Sequence, residues 1–194
     1  MNSSTWITRA SQLTSGIAKG ASEISRIAPT AVGHTRYTAP LDTLKLVSAL
    51  DQFQECVRYL NTRRSSGAVI NISSENDVQD VVYLMLRPWI TDIVYENPTD
   101  RFGSRYVIKD FLTKELKTVV EAKYVRDKKH GKGISKELHD DIESYKTHPD
   151  AQNIIFFIYD PNALIPDATA LRRHIDGTRK YGEKTISVYC IVKP

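Results

Sequence analysis

Asp110 stands in one short β-rich run, and after a polar turn at Thr113 to Lys117 a second run presents Glu121-Ala122-Lys123. Alternate side chains of a strand share a face, so Glu121 and Lys123 point one way and Ala122 the other. An antiparallel return brings Asp110 beside them. Two neighbouring carboxylates repel unless a cation lies between them, and Mg²⁺ prefers oxygen ligands with several waters retained. The Ala122 carbonyl supplies a further oxygen. Lys123, beyond the metal, is placed to orient or help deprotonate a metal-bound water for attack on phosphorus, while the cation stabilises charge on the phosphate.

The following segment adds charge of both signs. A helix is expected near Ser135 to Thr147, with Ile134, Leu138, Ile142 and Tyr145 as its apolar stripe. Asp141 falls inside that stripe by helical angle, and a buried carboxylate needs a partner: a backbone amide or arginine, or else Lys123 or a metal-bound water. Before it, residues 123–136 carry Lys123, Arg126, Lys128, Lys129, Lys132 and Lys136 against Asp127 alone, a local charge of +5. Such a basic loop suits either a phosphate-facing patch or a solvated surface. If it meets nucleic acid, its lysines are suited to phosphates rather than to bidentate readout of base edges.

The elements that must position these residues follow from periodicity. Leu44, Val47, Leu50, Phe53, Val57 and Leu60 recur at three- and four-residue steps, which predicts one long helix from Leu41 to about Arg64. Ser74 with Asp77 resembles an acidic capping box opening a second helix over Glu75 to Arg87. Strands are expected near Asp92 to Glu96, Tyr106 to Leu112, Thr118 to Tyr124, Asn153 to Tyr159 and Thr185 to Val192, and a further helix near Ala168 to Ile175. The unbroken apolar run Ile154 to Ile158 suits a strand covered on both faces, at the centre of a three-layer α/β/α fold. Residues 1–40 are Ser-, Thr-, Ala- and Gly-rich and carry +3 of the net charge of +4. They read as a flexible basic arm, with an N-terminal helix over 41–66 and the main domain over 67–194.

Composition narrows the class. With 41% hydrophobic and 26% charged residues the chain of 194 is ordinary globular protein rather than disordered or fibrous. Cys56 and Cys190 form no CxxC pair and the five histidines show no zinc spacing. No apolar run approaches the roughly 18 residues that span a bilayer. A cytoplasmic protein without membrane attachment is expected.

The ordered series Ser74-Glu75-Asn76-Asp77-Val78-Gln79-Asp80, Glu96, Ser104-Arg105, Asp110-Phe111-Leu112, Val120-Glu121-Ala122-Lys123, Glu137-Leu138 with Asp141-Ile142, Tyr145 with His148-Pro149-Asp150, and Tyr159-Asp160-Pro161 resembles a PD-(D/E)XK nuclease domain. It is similar to the restriction-endonuclease-like branch found as bacterial antiphage effectors, often beside an NTPase or sensor protein. The resemblance covers roughly residues 45 to 192. It implies a restriction-endonuclease-like α/β core with a mixed sheet, and Mg²⁺- or Mn²⁺-dependent hydrolysis of DNA phosphodiesters. Asp110 and Glu121 are then metal ligands together with the Ala122 carbonyl, and Lys123 is the catalytic lysine. Two departures stand out: Tyr106 to Lys109 separate the Ser-Arg pair from Asp110, and Glu137 replaces the glutamine that relatives often carry.

Around that centre Glu75 is either a further metal acid or an acid favoured by the helix dipole, and Glu96 belongs to the metal shell or the surface. Glu137, Asp141 and Tyr145 are expected to support the site. Arg105, Arg126, Lys128, Lys129, Lys132 and Lys136 are the expected nucleic-acid contacts. His130 and His139 are read as solvent-facing, with phosphate contact when protonated as the alternative, and Asp160-Pro161 as a strand end. One site in a short chain, against two strands of a duplex, predicts a homo-oligomer or a partner protein. A non-catalytic nucleic-acid-binding subunit and an RNase are the competing functions.

Overall fold

The computed structural model describes residues 41–62, 70–98 and 108–194, with backbone alone at 95–98 and 108–109. The expected arm at 1–40 and Arg105 lie outside the described residues. Two helices, α1 (Thr43–Asp51) and α2 (Phe53–Thr62), open the described chain, followed by α3 (Glu75–Leu86). The strands β1 (Val94–Pro98), β2 (Ile108–Thr113) and β3 (Thr118–Tyr124) come next, then α4 (Lys128–Tyr145), β4 (Asn153–Tyr159), α5 (Ala168–Ile175), β5 (Gly177–Tyr181) and β6 (Lys184–Lys193).

The six strands form one mixed sheet in the order β1-β2-β3-β4-β6-β5. β1, β2 and β3 form an antiparallel meander, β3, β4 and β6 run parallel, and β5 returns antiparallel at the far edge. The parallel strands are covered on both faces, as their continuous apolar runs require. Ile154, Phe156 and Ile158 pack under α4 and α5 with Leu138, Ile142 and Leu171. Ile155 and Phe157 pack with Leu46, Leu50, Phe53, Val78 and Val82 of the first three helices. The expected three-layer α/β/α architecture is therefore present.

The long N-terminal helix is instead two helices meeting at Gln52, whose backbone (φ −84, ψ 4) leaves the helical region. Leu46, Leu50, Phe53 and Val57 keep a common buried face across the break, with the Phe53 ring 4.6 Å from that of Phe157. Apolar spacing survives one irregular residue, which is why periodicity alone runs through it. The capping box on α3 forms as expected: Ser74 Oγ accepts from the Asp77 N–H at 3.2 Å, and Asp77 Oδ2 accepts from Ser74 N–H at 2.8 Å.

A second correction concerns the basic segment. Asp127 Oδ1 accepts from the His130 N–H at 2.8 Å and caps α4, which begins seven residues before the expected start at Ser135. What composition presents as a basic loop is the first half of a helix. β5 was not expected, because the polar run Gly177–Tyr181 alternates no apolar side chains. It joins β6 through a two-residue turn whose first residue, Gly182, has φ +63, the sign that tight hairpins demand.

The turn between β2 and β3 fixes the register on which the site depends. The Asp92 carboxylate accepts from Thr113 Oγ1 at 2.8 Å and from the N–H groups of Lys114 and Glu115 at 2.8 and 2.9 Å. The register that follows is Thr113↔Thr118, Leu112↔Val119, Phe111↔Val120. A slip of one residue would turn Asp110 to the opposite face from Glu121.

Candidate active site

The β2–β3 ladder stops at Phe111↔Val120, and the site lies where it stops. Two residues further along β3, the Ala122 N–H donates to Asp110 Oδ2 at 2.7 Å. The N–H and C=O of one strand residue face the same edge, so the Ala122 carbonyl also faces β2. The Ala122 methyl itself is buried on the α1–α3 face.

Glu121 is 3% exposed and accepts a hydrogen bond from the Tyr145 hydroxyl of α4. Burial holds its carboxyl well above the usual range, reinforced by the charge of Asp110 and opposed by Lys123 and the Tyr145 hydroxyl. Asp110 is pushed up to about 6, first by burial and then by the charge of Glu75, against the Ala122 N–H, Lys123 and a hydrogen bond from the Gln79 side chain. Both acids thus sit where negative charge is disfavoured.

The Lys123 ammonium is 3.3 Å from Glu137 Oε1 and 3.4 Å from Asp141 Oδ2. Burial works against the charged ammonium, but Asp141, Glu121, Glu137 and Glu75 outweigh it and raise its pKa. Asp141 is in turn raised by burial, with Lys123 opposing. Of the partners open to Asp141 from sequence, the structure supplies Lys123. The Tyr145 hydroxyl is likewise raised, by burial and then by Glu121, so it is a donor at any ordinary pH.

The structure therefore brings together Asp110, Glu121, Ala122 and Lys123 with Glu75, Glu137, Asp141 and Tyr145. The register Tyr95↔Phe111 and Asn97↔Lys109 sets Glu96 of β1 opposite Asp110 along the backbone. Arg126, Lys128, Lys129, Lys132 and Lys136 are exposed. The last four lie on the solvent side of α4, and cations in the first turns of a helix oppose its dipole. Helix stability does not account for lysines there.

Three residues have parts the sequence did not disclose. Gln79 is buried and reaches Asp110 from one turn beyond Glu75; its spacing of four from Glu75 is the signal that could have found it. His130, expected to face solvent, has a side chain only 9% exposed, with Nε2 3.2 Å from Glu137 Oε2. Asp160 does more than end β4: it is 4% exposed and accepts from the N–H groups of Leu164 and Ile165 at 2.8 and 2.9 Å. That stapled loop backs on Gly131 of α4, where a Cβ would lie 2.4 Å from the Leu164 carbonyl oxygen.

The donor set fits a hard divalent cation. All its members are oxygens, and burial together with a neighbouring negative charge raises both carboxyls, so a cation there would favour their charged forms. Among the described residues no three His, Cys, Asp or Glu side chains are grouped to hold a metal ion. Mg²⁺ needs no such group, since it binds through one or two carboxylates and keeps its waters.

Also among the described residues, no helix is long and apolar enough to cross a membrane. Residues 44–193, from the start of α1 to the last residue of β6, match the family model of the DpnII-MboI restriction endonucleases (REase_DpnII-MboI). No curated protein and no solved structure matches the chain.

Proposed function

The chain belongs to the DpnII-MboI family of restriction endonucleases and is a DNA-cleaving hydrolase, and from this we propose that Asp110, Glu121 and Lys123 form its catalytic centre. The observation that carries the assignment is their convergence at the end of the β2–β3 ladder, with both carboxyls raised by burial. Asp110, Glu121 and the Ala122 carbonyl, with Glu75 beside them, would hold Mg²⁺ or Mn²⁺. The ion supplies charge neutralisation at the phosphate and a more acidic water.

The protein's own groups do the rest. The raised pKa of Lys123 keeps it an ammonium at neutral pH, which favours orienting the attacking water and countering charge on the phosphate over accepting a proton. Glu137 and Asp141 fix that ammonium, and the Tyr145 hydroxyl fixes Glu121. Arg126 and the lysines of α4 supply contacts to the DNA backbone, with Arg105 as a further one.

We further propose that the enzyme is a cytoplasmic effector of antiphage defence, active as a homo-oligomer or with a sensor or NTPase partner. One centre per chain must otherwise visit each strand in turn. The test is incubation of duplex plasmid, single-stranded DNA and RNA with Mg²⁺, with Mn²⁺ and with EDTA. Duplex DNA cut in either metal and intact in EDTA is expected; equal cutting in EDTA would overturn the metal assignment.

A further inference from the structure

His130 stands in the first turn of α4, and its two ring nitrogens are treated differently. Nε2 lies 3.2 Å from Glu137 Oε2. A carboxylate only accepts, so Nε2 carries the hydrogen and donates it. Nδ1 is buried and has no hydrogen-bond partner among the described residues. The other oxygen of Glu137, Oε1, faces the Lys123 ammonium at 3.3 Å. One carboxylate therefore bridges a buried imidazole and the lysine of the proposed catalytic centre.

The bridge has a mechanical sense. Glu137 is 41% exposed in its side chain, and a flexible half-solvated carboxylate on its own samples several rotamers. His130 and Glu137 are seven residues apart, two helical turns, so their side chains share a face of the rigid α4. A donor on a ring that is only 9% exposed holds one oxygen of Glu137 and so aims the other. Stability does not explain the histidine. An unpartnered buried nitrogen costs stability, and methionine would fill a similar volume without that cost.

We infer that His130 is a positioning residue of the nuclease: it fixes Glu137, and Glu137 with Asp141 fixes the Lys123 ammonium against the scissile phosphate. The inference rests on the assignment of Lys123 to the reaction. No change of protonation is involved, since a neutral ring with its hydrogen on Nε2 makes the same bond.

The test is single-turnover cleavage of a duplex substrate in Mg²⁺, with Kd for the same duplex measured separately in EDTA. His130→Ala and the volume-conserving His130→Met should slow cleavage about 10- to 100-fold, as a small misplacement of a reacting group does, with Kd unchanged. His130→Gln, whose amide nitrogen can stand in for Nε2, should recover most of the rate. In a Glu137→Ala background, His130→Met should cost less than about twofold more, because the two residues act as one unit. A His130→Met enzyme at the wild-type rate, a loss seen only in Kd, or an undiminished loss in the Glu137→Ala background would each overturn the proposal. Lys123→Ala in the same assay separates the two levels. If it is inactive while His130→Met is unimpaired, only the positioning role fails; if it is active, the catalytic assignment fails with it.

Discussion

Replacing a proposed metal ligand should make the metal-free protein more stable. The Asp110 carboxyl has an ordinary value of 3.8 and is pushed up to about 6 in the folded chain, chiefly by burial. The folded state therefore binds the proton more tightly than the unfolded state. Stability from this group is fully present below the unfolded value and is lost as pH rises through the folded one. At 1.36 kcal/mol for each tenfold change in proton affinity, the difference amounts to about 3 kcal/mol once the pH is well above 6. Asp110→Asn keeps the size of the side chain and an oxygen that can accept the Ala122 N–H, but it has no charge to bury.

Urea unfolding followed by circular dichroism, in EDTA, measures this directly. Asp110→Asn should exceed wild type by about 2–3 kcal/mol near pH 8, and the advantage should fall to about 0.6 kcal/mol near pH 4 and vanish near pH 3. Saturating Mg²⁺ should raise the stability of wild type by mass action and do little for the variant, reversing or cancelling the order. A variant less stable than wild type near pH 8 in EDTA would refute the argument that this carboxylate is held against its own desolvation.

Glu121→Gln, which keeps the buried volume and an acceptor for the Tyr145 hydroxyl, and Lys123→Ala should each bring cleavage below about a tenth of the wild-type rate while DNA binding and folding persist; gel assays of cleavage and anisotropy of binding check both. Neutralising Lys128, Lys129 and Lys132 together should weaken binding to all duplex sequences, each lost phosphate contact lowering the log–log salt slope by about 0.9. An unchanged slope would make the α4 lysines a solvated surface. Gly131→Ala should lower the Tm although helix propensity alone predicts a gain of about 1 kcal/mol, because its Cβ would meet the Leu164 carbonyl oxygen at 2.4 Å. Gly133→Ala, with nothing within 4 Å of the new methyl, should raise it; equal effects at the two positions would discredit the clamp between α4 and the Asp160 loop.

Much of this was legible in the sequence because it depends on period and parity. Two-residue alternation put Glu121 and Lys123 on one face, and the polar turn to β2 brought Asp110 there without knowledge of the fold. The continuous run Ile154 to Ile158 announced a strand buried on both sides. Asp141 was conspicuous as an acid inside an apolar stripe. The parts that stayed hidden are set by single backbone or through-space events. Lysines are poor markers of a helix start, so the first turns of α4 passed for a loop, and with them the burial of His130. The break at Gln52 leaves no trace in apolar spacing, and β5 is too polar to show alternation. Gln79 reaches Asp110 because α3 packs against β3, and its spacing of four from Glu75 is the only trace of this in the sequence.

The charges around Lys123 explain why the site needs more than its own side chains. Glu75, Asp110, Glu121, Glu137 and Asp141 act on one ammonium, so a fully ionised cluster is strongly negative and would repel a DNA phosphate. Burial, reinforced by these neighbouring negative charges, raises the pKa values of Asp110, Glu121 and Asp141 and so disfavours their charged forms. On the proposed assignment a divalent cation would bind more tightly as pH rises, because its ligands must be deprotonated, and the pocket would then accept phosphate. The outer pair, Glu137 and Asp141, lies in ion-pair contact with Lys123 at 3.3 and 3.4 Å, whereas Asp110 and Glu121 take the Ala122 N–H and the Tyr145 hydroxyl as their hydrogen-bond donors. That division supports the proposed roles, with the inner acids facing the metal and the outer ones holding the lysine. Glu137 also suits this outer place better than an amide would: its two oxygens accept from Lys123 and His130 separately, and its charge balances an ammonium kept largely out of water.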